Sequence, residues 1–339
     1  ETLTFASRFE EPAKPNECWN GRMDSPRLIA AALSPEDAET WIRKVDPPGK
    51  DESVLGFWDL SVDVDGCWAR DLGPRAAHAR IHQLPNRAVR GFRWTGKERD
   101  YRRAPLEYAA IHFHDDDVYD MEWPTAFSFT VPENLRSGAY AARLRLRPEG
   151  DDARATEDIE YLTFFVSPSP SPTRKRPDIA LVLPTMTYLA YANEVVYFTG
   201  PQMIYGITRS FFPEAIFHHE HEAFGRSQYE SHSDGSGIHF SSWLRPLWNV
   251  RPNSRAWCFP ADTNLIHWLE IMEFEYDVIT DHDLHEHGVE ALEGYKVLMT
   301  GTHPEYLTTR MYDAYEGFLD QGGRLMYLGG NGFYWRVAM

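Results

Sequence analysis

The sequence has few cysteines and no long apolar run. Its three cysteines, at positions 18, 67 and 258, are far apart and form no CxxC pair. This spacing argues against a disulfide framework or a zinc ribbon, and it is typical of proteins from a reducing compartment such as the cytoplasm. No stretch of eighteen apolar residues and no signal peptide is recognisable, so the sequence predicts no membrane span.

Positive charge is also scarce. The chain has 34 Lys and Arg residues against 51 Asp and Glu residues, which gives a formal net charge of -17. Nucleic acids and anionic membranes bind basic surfaces, so neither is expected as a partner. Hydrophobic residues make up 42% and charged residues 25% of the 339 residues, which is typical of globular chains and, at this length, of about two domains.

The common nucleophile and phosphate-binding motifs are missing. No G-x-S-x-G or G-x-C-x-G elbow follows a predicted strand, and no G-x-G-x-x-G or Walker loop occurs. Cys258 lies in the segment WCFP, where the aromatic residues and the proline favour packing over catalysis. With these motifs excluded, an active site in this chain would use general acid–base chemistry or a bound metal.

Residues 1–170 are predicted to form a β-sandwich. Short runs rich in aromatic and β-branched residues alternate with turn signals, as in antiparallel sandwiches. One helix is predicted at 35–44, with Ser34 as its N-cap. The predicted strands are 54–64, 87–94, 109–114, 126–131, 140–146 and 161–166.

A Ser/Pro-rich segment separates this region from a second domain. The linker is placed at 171–177 and an α/β domain at 178–339. Buried strands are predicted at 178–183, 276–280, 295–300 and 324–328. One helix between them is capped by Asp262 or Thr263, and another spans 308–321, so the alternation predicts a parallel sheet. The chain stops soon after the last strand, so we expect this domain to be incomplete at its C-terminus.

Polar residues follow each of these four strands. Ligands of open α/β sheets bind beyond the carboxyl ends of the strands, so these loops should meet at one rim. Together they offer phenols, imidazoles, a carboxylate and an amide. The loops are 184–193, 281–287, 301–306 and 329–335.

Three groups of histidines are candidate metal ligands. His112 and His114 precede three aspartates at the end of a predicted strand, in an HxH pattern like that of amidohydrolase barrels. A solvated acidic loop is the simpler interpretation there. The simpler interpretations of the other two groups are, in order, a surface cluster and a charged helix start or loop surface. These are His218, His219 and His221, and, in a strand-end loop, His285 and His287.

Six short segments, in this order, carry a family resemblance. They are WNGRMDSP at 19–26, HFHDDD at 112–117, TMTYLAYAN at 185–193, SHSDGSG at 231–237 with LRP at 244–246, TGTHPE at 300–305 and GGNGFYW at 329–335. The chain resembles the large (beta) subunit of N,N-dimethylformamidase over nearly its whole length. The resemblance implies a concanavalin-like β region followed by a domain of glutamine-amidotransferase-like architecture that lacks the cysteine of that architecture.

The resemblance also implies a metal site. Enzymes of this family hold one iron ion, here expected to be ferric, between two tyrosines and a glutamate. Carried onto this sequence, the ligands are Tyr188, Tyr229 and Glu305, with Tyr191 as the alternative for the first tyrosine. The catalytic group is expected to comprise Glu305 itself and the polar residues beside the metal, His303 and Asn331.

The expected activity is hydrolysis of the C–N bond of N-substituted formamides, with N,N-dimethylformamide giving dimethylamine and formate. The expected partner is a small helical subunit in a hetero-oligomer, and the large subunit of the family is much longer than this chain. Two other interpretations stay open. One is a zinc amidohydrolase that uses the histidine clusters, and the other is a non-catalytic module that binds carbohydrate on an amidotransferase-like scaffold.

Overall fold

The structure is a computed structural model that describes residues 3–10, 14–146, 158–169, 174–195, 213–254 and 256–339. These residues pack into two compact units. The first comprises Glu1–Met121, Ala223–Gly225 and Ser231–Arg245, and the second comprises Glu122–Glu222, Arg226–Glu230 and Pro246–Met339. Within the described residues, no helix is both long enough and apolar enough to cross a bilayer.

The first unit is built from short antiparallel strands. They form the sheets β1-β2, β3-β9-β8 and β4-β5-β6-β7, around a small core that includes Trp58, Leu60 and Ile111. The strands are β1 (Arg8–Glu10), β2 (Lys14–Asn16), β3 (Gly21–Asp24), β4 (Arg27–Ile29), β5 (Val54–Asp59), β6 (Trp68–Asp71), β7 (Ala79–Arg80), β8 (Asn86–Val89) and β9 (Ala110–Phe113).

Two side chains organise turns in the first unit. Helix α1 (Pro35–Arg43) begins after Ser34, whose hydroxyl accepts a 3.1 Å hydrogen bond from the Asp37 N–H, as predicted. Buried Asp71 accepts backbone hydrogen bonds from residues 57, 73 and 77 at 2.8, 2.7 and 2.7 Å. One carboxylate therefore ties the turn after β6 back to β5. A 3₁₀ turn, Pro105–Tyr108, precedes β9.

The second unit contains the predicted parallel sheet. Its strands are β12 (Ile179–Leu183), β13 (Tyr276–Thr280), β14 (Val297–Thr300) and β16 (Arg324–Met326), in the order β13-β12-β14-β16. All three pairings are parallel. The central strand β12 is almost fully buried, as expected for an apolar strand covered on both faces. A short parallel pair joins β15 (Tyr306–Leu307) to β17 (Trp335–Arg336).

The helices of the second unit differ from the predictions at two places. The helix expected from residue 262 or 263 begins earlier, because Phe259 and Pro260 supply its first turn. The segment after β13, expected to be a loop, is a helix capped by Thr280 and Asp283. The helices are α2 (Thr185–Ala190), α3 (Pro213–Glu220), α4 (Phe259–Ile271), α5 (Asp281–His287) and α6 (Thr309–Asp320), with 3₁₀ turns Glu222–Phe224, which falls across both units, and Gly288–Leu292.

The division into units differs from the predicted boundary. The hairpin of β10 (Gly138–Leu146) and β11 (Asp158–Val166) was assigned to the first domain but belongs to the second unit. The residue before it explains this, because the Ser137 hydroxyl donates a 2.8 Å hydrogen bond to Asp277 of β13. Part of the predicted linker, 171–173, lies outside the described residues. The predicted strand at 126–131 is not one, and its phenylalanines are exposed.

Candidate functional site

Adjacent strands of the parallel sheet bring two loops together. β12 and β14 pair in parallel, from Ile179 with Val297 to Val182 with Thr300. The segments that follow the two strands therefore leave the sheet side by side. α2 follows β12 almost at once, and Glu305 lies five residues after β14. The Glu305 N–H donates a 3.1 Å hydrogen bond to the Thr187 hydroxyl. The loop that carries Glu305 is thereby fastened to α2.

Two phenols converge on the Glu305 carboxylate. The Tyr191 hydroxyl donates to Oε2 at 2.7 Å, and the Tyr229 hydroxyl lies 3.3 Å from both carboxylate oxygens. The two rings stack with their centroids 4.1 Å apart. Glu305 is 3% exposed and Tyr191 7%, whereas Tyr229 is 39% exposed. The result is a buried carboxylate that two phenols face, one of which is accessible from solvent.

The environment keeps these phenols protonated. Burial is the main cause that raises the pKa of Tyr191, and its hydrogen bonds to Tyr229 and Glu305 add to the effect. Burial likewise raises the pKa of Tyr229. A charge of -1 next to a phenol favours the neutral form of the phenol, so only a cation at this point would favour phenolates.

His303 and Trp257 border the carboxylate. His303 Nε2 lies 3.2 Å from Oε2 of Glu305, and the two aromatic rings have centroids 4.8 Å apart. Among the described residues, neither His303 Nε2 nor Trp257 Nε1 has a partner in hydrogen-bonding geometry, although both atoms are buried. The His303 nitrogen is therefore a buried polar atom directly beside the Glu305 carboxylate.

Asn331 lies on the neighbouring loop, after β16. It is exposed and has a positive φ of 48°. A Cβ added to Gly330, the preceding residue, would be 3.9 Å from the His303 ring. The loop therefore approaches the site, while the Asn331 side chain is open to solvent.

Tyr188 occupies a different position from the one expected. It is fully buried, and its hydroxyl donates to Asp262 rather than to Glu305. The Thr302 N–H donates to the other oxygen of Asp262 at 2.5 Å. Burial raises the pKa of Asp262 to about 6, against the effect of its hydrogen-bond donors. The structure therefore brings Tyr191 to Glu305 and Tyr229, where Tyr188 was the first choice.

Sequence reasoning missed two residues of this region. Tyr306 stands next to Glu305, and its hydroxyl lies 2.6 Å from that of Tyr229. Asp262 was interpreted only as a helix cap, but it is 0% exposed and links Tyr188 to the loop that carries His303. A signal for Tyr306 was present, since it directly follows Glu305 in a strand-end loop.

The main chain after β16 holds the loop of Glu305. The Glu305 carbonyl accepts hydrogen bonds from the N–H groups of Tyr334 and Trp335, at 3.1 and 2.9 Å. The Pro304 carbonyl accepts one from Phe333 at 2.8 Å. These bonds lead into the pairing of β15 with β17 and are made by backbone atoms alone, while the Phe333 side chain packs against the core.

The histidine groups behave differently from one another. His221 stacks on Phe217, and His219 lies 3.3 Å from Glu222. His285 contacts the Thr308 hydroxyl, and His287 is largely exposed. None of these belongs to a cluster of metal-ligating side chains within the described residues.

The histidines of the HFHDDD segment do join a cluster, in the first unit. His112, His114 and Asp234 form one group of close donor atoms, and His114, Asp117 and His232 form another. Burial lowers the pKa of His114 to about 4, with the neighbouring His232 as the next cause. The imidazole of His114 is therefore neutral at pH 7.

Comparison with known proteins identifies the family. The family model described as "N,N-dimethylformamidase beta subunit-like, C-terminal" matches residues 86–339. The N,N-dimethylformamidase beta subunit of Alcaligenes sp is 38% identical to this chain over 357 aligned residues, which cover 100% of the chain and 45% of the relative. The chain belongs to this family. The N,N-dimethylformamidase beta subunit of Paracoccus aminophilus is 36% identical over 366 aligned residues, with the same coverage.

The resemblance inferred from the six segments is thereby confirmed. The part that matches the N,N-dimethylformamidase beta subunit model includes both histidine-rich segments of the first unit and every residue around Glu305. The chain spans about half the length of these relatives.

Proposed function

We propose that this chain carries the active site of an amide hydrolase that cleaves the C–N bond of N-substituted formamides, with N,N-dimethylformamide as the model substrate. One observation carries the proposal: the hydroxyls of Tyr191 and Tyr229 both face the buried carboxylate of Glu305. The names of the two relatives support the substrate class.

The metal proposed for this site is one ferric ion, held by Tyr191, Tyr229 and Glu305. The donors fit such an ion, because phenolate and carboxylate oxygens suit a hard cation. Two phenols face the buried carboxylate, and a cation there would favour loss of both phenol protons. His303 Nε2, 3.2 Å from Oε2 of Glu305, adds a further polar group beside the carboxylate.

When bound, a ferric ion supplies Lewis-acid activation of an amide carbonyl or of water. The protein residues do the rest. We propose that His303, whose Nε2 lies 3.2 Å from Oε2 of Glu305, carries a proton to the amine that leaves as the C–N bond breaks. Asn331 is proposed to donate a hydrogen bond to the oxygen of the tetrahedral intermediate. Water consumed in the reaction supplies the hydroxyl of formate and the proton of the amine.

Aromatic side chains shape the remaining space. Trp257 packs edge-on against Tyr191, with ring centroids 5.4 Å apart, and lies beside His303. Tyr306 holds the hydroxyl of Tyr229 at 2.6 Å. We propose that the Trp257 face binds the N-methyl groups of the substrate, since aromatic walls with a few polar groups are typical of small-ligand sites.

The finer features of the assembly are also proposals. The relatives are named as beta subunits, which supports a hetero-oligomer with a small helical subunit. The antiparallel sheets of the first unit support a concanavalin-like sandwich, and the parallel sheet of the second supports an amidotransferase-like architecture. The cytoplasmic location predicted from the cysteine content stays a prediction.

The deciding experiment is metal analysis combined with a visible spectrum. The full-length protein is purified with any co-expressed partner, its metal content is measured, and formamide hydrolysis is assayed. About one iron per chain, with a phenolate-to-iron absorption band and amine release, is expected. Glu305→Gln should lose iron and turnover together, and a variant that retained full iron would remove Glu305 from the ligand set. Zinc, or no metal, in an active wild-type protein would contradict the iron proposal.

A further inference from the structure

A cluster of histidines and aspartates lies in the first unit, whereas the residues around Glu305 belong to the second unit. We call His114, Asp117 and His232, with Asp116 and Ser236 behind them, the histidine–aspartate cluster. His114 follows β9 directly, and His232 lies in the segment 231–237, which an antiparallel bridge between Ser231 and Gly237 closes. The cluster therefore joins a strand end to a closed turn within one unit.

Three donor atoms face one another in this cluster. His114 Nδ1 lies 3.1 Å from both carboxylate oxygens of Asp117, and His232 Nε2 lies 3.8 Å from Asp117 Oδ1. The donor atoms of the three side chains all lie within 4.8 Å of one another. The side chains of His114, His232 and Asp117 are 0%, 5% and 11% exposed. A solvated surface group would not be buried to this extent.

The second nitrogen of each imidazole already has a polar partner. Ser236 Oγ lies 2.9 Å from His114 Nε2, and Asp116 Oδ1 lies 2.7 Å from His232 Nδ1. With an N–H directed at each of these oxygens, the lone pairs of His114 Nδ1 and His232 Nε2 are left toward Asp117. Metal-binding histidines are oriented in this way, through a carboxylate or hydroxyl on the nitrogen that does not bind the metal.

The charge of the cluster is unbalanced. Among the described residues, no lysine or arginine forms an ion pair with Asp117 or Asp234. Their ion-pair partners are histidines, and Asp116 and Asp234 add negative charge beside Asp117. Buried carboxylates normally have a cationic partner or coordinate a metal. A divalent cation would supply the charge that the protein side chains do not.

We propose that the histidine–aspartate cluster binds a divalent transition-metal ion of the zinc class through His114 Nδ1, His232 Nε2 and Asp117, with water as a fourth ligand. Two nitrogens and a carboxylate oxygen are a typical ligand set for zinc. The rings of His114 and His232 are stacked, 3.7 Å apart and 3° from parallel. They must tilt apart for both lone pairs to reach one ion.

The proposed ion has a structural role. It would fasten the segment 231–237 to the end of β9, a connection that the structure otherwise makes with hydrogen bonds such as Ser233 Oγ to Asp115. This role is separate from the proposed hydrolysis, which rests on oxygen ligands around Glu305 in the other unit.

The test uses full-length protein with any co-purified partner, in a Glu305→Gln background that lacks a ligand of the proposed iron site. After chelation and buffer exchange, the protein is titrated with Zn²⁺ by calorimetry and with Co²⁺ by visible absorption. One equivalent of Zn²⁺ and a d–d spectrum of cobalt bound in low symmetry are expected. Adding His232→Gln or Asp117→Asn should weaken this binding at least about tenfold.

Two control variants keep the result interpretable. His287→Gln changes an exposed histidine, and Asp63→Asn changes an exposed aspartate that pairs with Arg70, so both should keep the equivalent of Zn²⁺. Circular dichroism verifies that each variant is folded. Absence of Zn²⁺ binding in the Glu305→Gln protein, or binding that His232→Gln and Asp117→Asn leave unchanged, would overturn the proposal. The cluster would then be a hydrogen-bonded network only.

Discussion

The Tyr191 hydroxyl donates a 2.7 Å hydrogen bond to Oε2 of Glu305, across 114 residues of sequence. Tyr191 is the C-cap of α2 and Glu305 follows the adjacent strand β14, so the contact spans two strand-end segments of the parallel sheet. Tyr188, one helical turn earlier, instead donates to Asp262. The two tyrosines look equivalent in sequence, but their positions around the axis of α2 direct their hydroxyls to different carboxylates.

Replacement of Tyr191 should lower the iron content, whereas replacement of Tyr188 should lower the stability of the protein. Tyr191→Phe removes a proposed ligand, so iron content and the phenolate-to-iron band should fall, with iron affinity reduced more than about tenfold. Tyr188→Phe should keep the iron but lower the free energy of unfolding by about 1–3 kcal/mol, because buried Asp262 loses a hydrogen-bond donor. Metal analysis and urea denaturation of both proteins measure this. The reverse pattern would restore Tyr188 as the ligand.

Tyr306 is expected to act through Tyr229. Tyr306→Phe removes the hydroxyl that lies 2.6 Å from that of Tyr229, so the Tyr229 ring is held less firmly. Substitution of a residue that hydrogen-bonds to a metal ligand typically lowers metal affinity by about 10–100-fold. Iron titration should show a loss in that range, with a shifted absorption band. Tyr312→Phe, at an exposed tyrosine, is the matched control and should bind iron like the wild type.

His303 should matter for the rate rather than for the metal. His303→Ala removes the proposed proton carrier, and general acid–base groups contribute about 10²–10⁴-fold to rates. We expect kcat to fall by that factor while iron content and the visible band persist. Steady-state kinetics on iron-loaded protein provide the measurement. Unchanged turnover would exclude His303 from the mechanism.

Buried Asp281 should make stability depend on pH. Burial raises its pKa to about 8, despite the hydrogen bond that it accepts from Met186, whereas an unfolded aspartate has a pKa of about 3.9. Between these values the native state holds a proton that the unfolded state has lost. The free energy of unfolding therefore decreases as the pH rises from about 4 to about 8, and this contribution is then constant.

Asp281→Asn should remove that contribution, because the amide oxygen can still accept from Met186 but does not titrate. The variant should gain stability relative to the wild type as the pH increases over this range. Urea denaturation at pH 5, 7 and 9 tests the difference. Parallel stability curves for the two proteins would show that Asp281 does not titrate between pH 4 and pH 8.

In the first unit, Asp71 is expected to be the most sensitive turn residue. Asp71→Ala leaves three backbone N–H groups, of Phe57, Gly73 and Ala77, without their acceptor. The bond from Phe57 is buried and the other two are partly buried. One buried unpaired group costs about 1–3 kcal/mol, so the free energy of unfolding should fall by at least about 1 kcal/mol. Asp63→Ala, at an exposed ion pair, should change stability by less than about 0.5 kcal/mol. Equal effects in chemical denaturation would contradict this role.

Periodicity was enough to predict the parallel sheet. The strand Tyr276–Thr280 has the predicted bounds, and the central strand Ile179–Leu183 differs by one residue. The segment of helix α5 was expected to be a loop because of its many charged residues, with a charged helix start as an alternative for His285 and His287. Its start was nevertheless encoded by Thr280 and Asp283, the two residues of a capping box. The end of the antiparallel region was harder to predict from the sequence. Aromatic residues at 126–131 suggested a strand where the structure has none.

The candidate site was only partly predictable. Strand-end position pointed to Glu305 and His303, and the resemblance pointed to Tyr229. The choice between Tyr188 and Tyr191 depends on how α2 is rotated about its axis, which the sequence of a short buried helix does not encode. Asp262 was hidden for a similar reason, because its role comes from tertiary contacts with Tyr188 and Thr302.

Backbone hydrogen bonds from residues 333–335 reach the carbonyl groups of Pro304 and Glu305. The side chains of Tyr334 and Trp335 are 68% and 52% exposed and take no part in those bonds. Substitutions there should leave Glu305 in place, whereas insertion of a single residue would shift every bond at once. Along this segment, natural selection is expected to conserve the number of residues more strictly than their identity. In alignments of the family, gaps between positions 305 and 335 would therefore reveal loss of the site sooner than mismatches would.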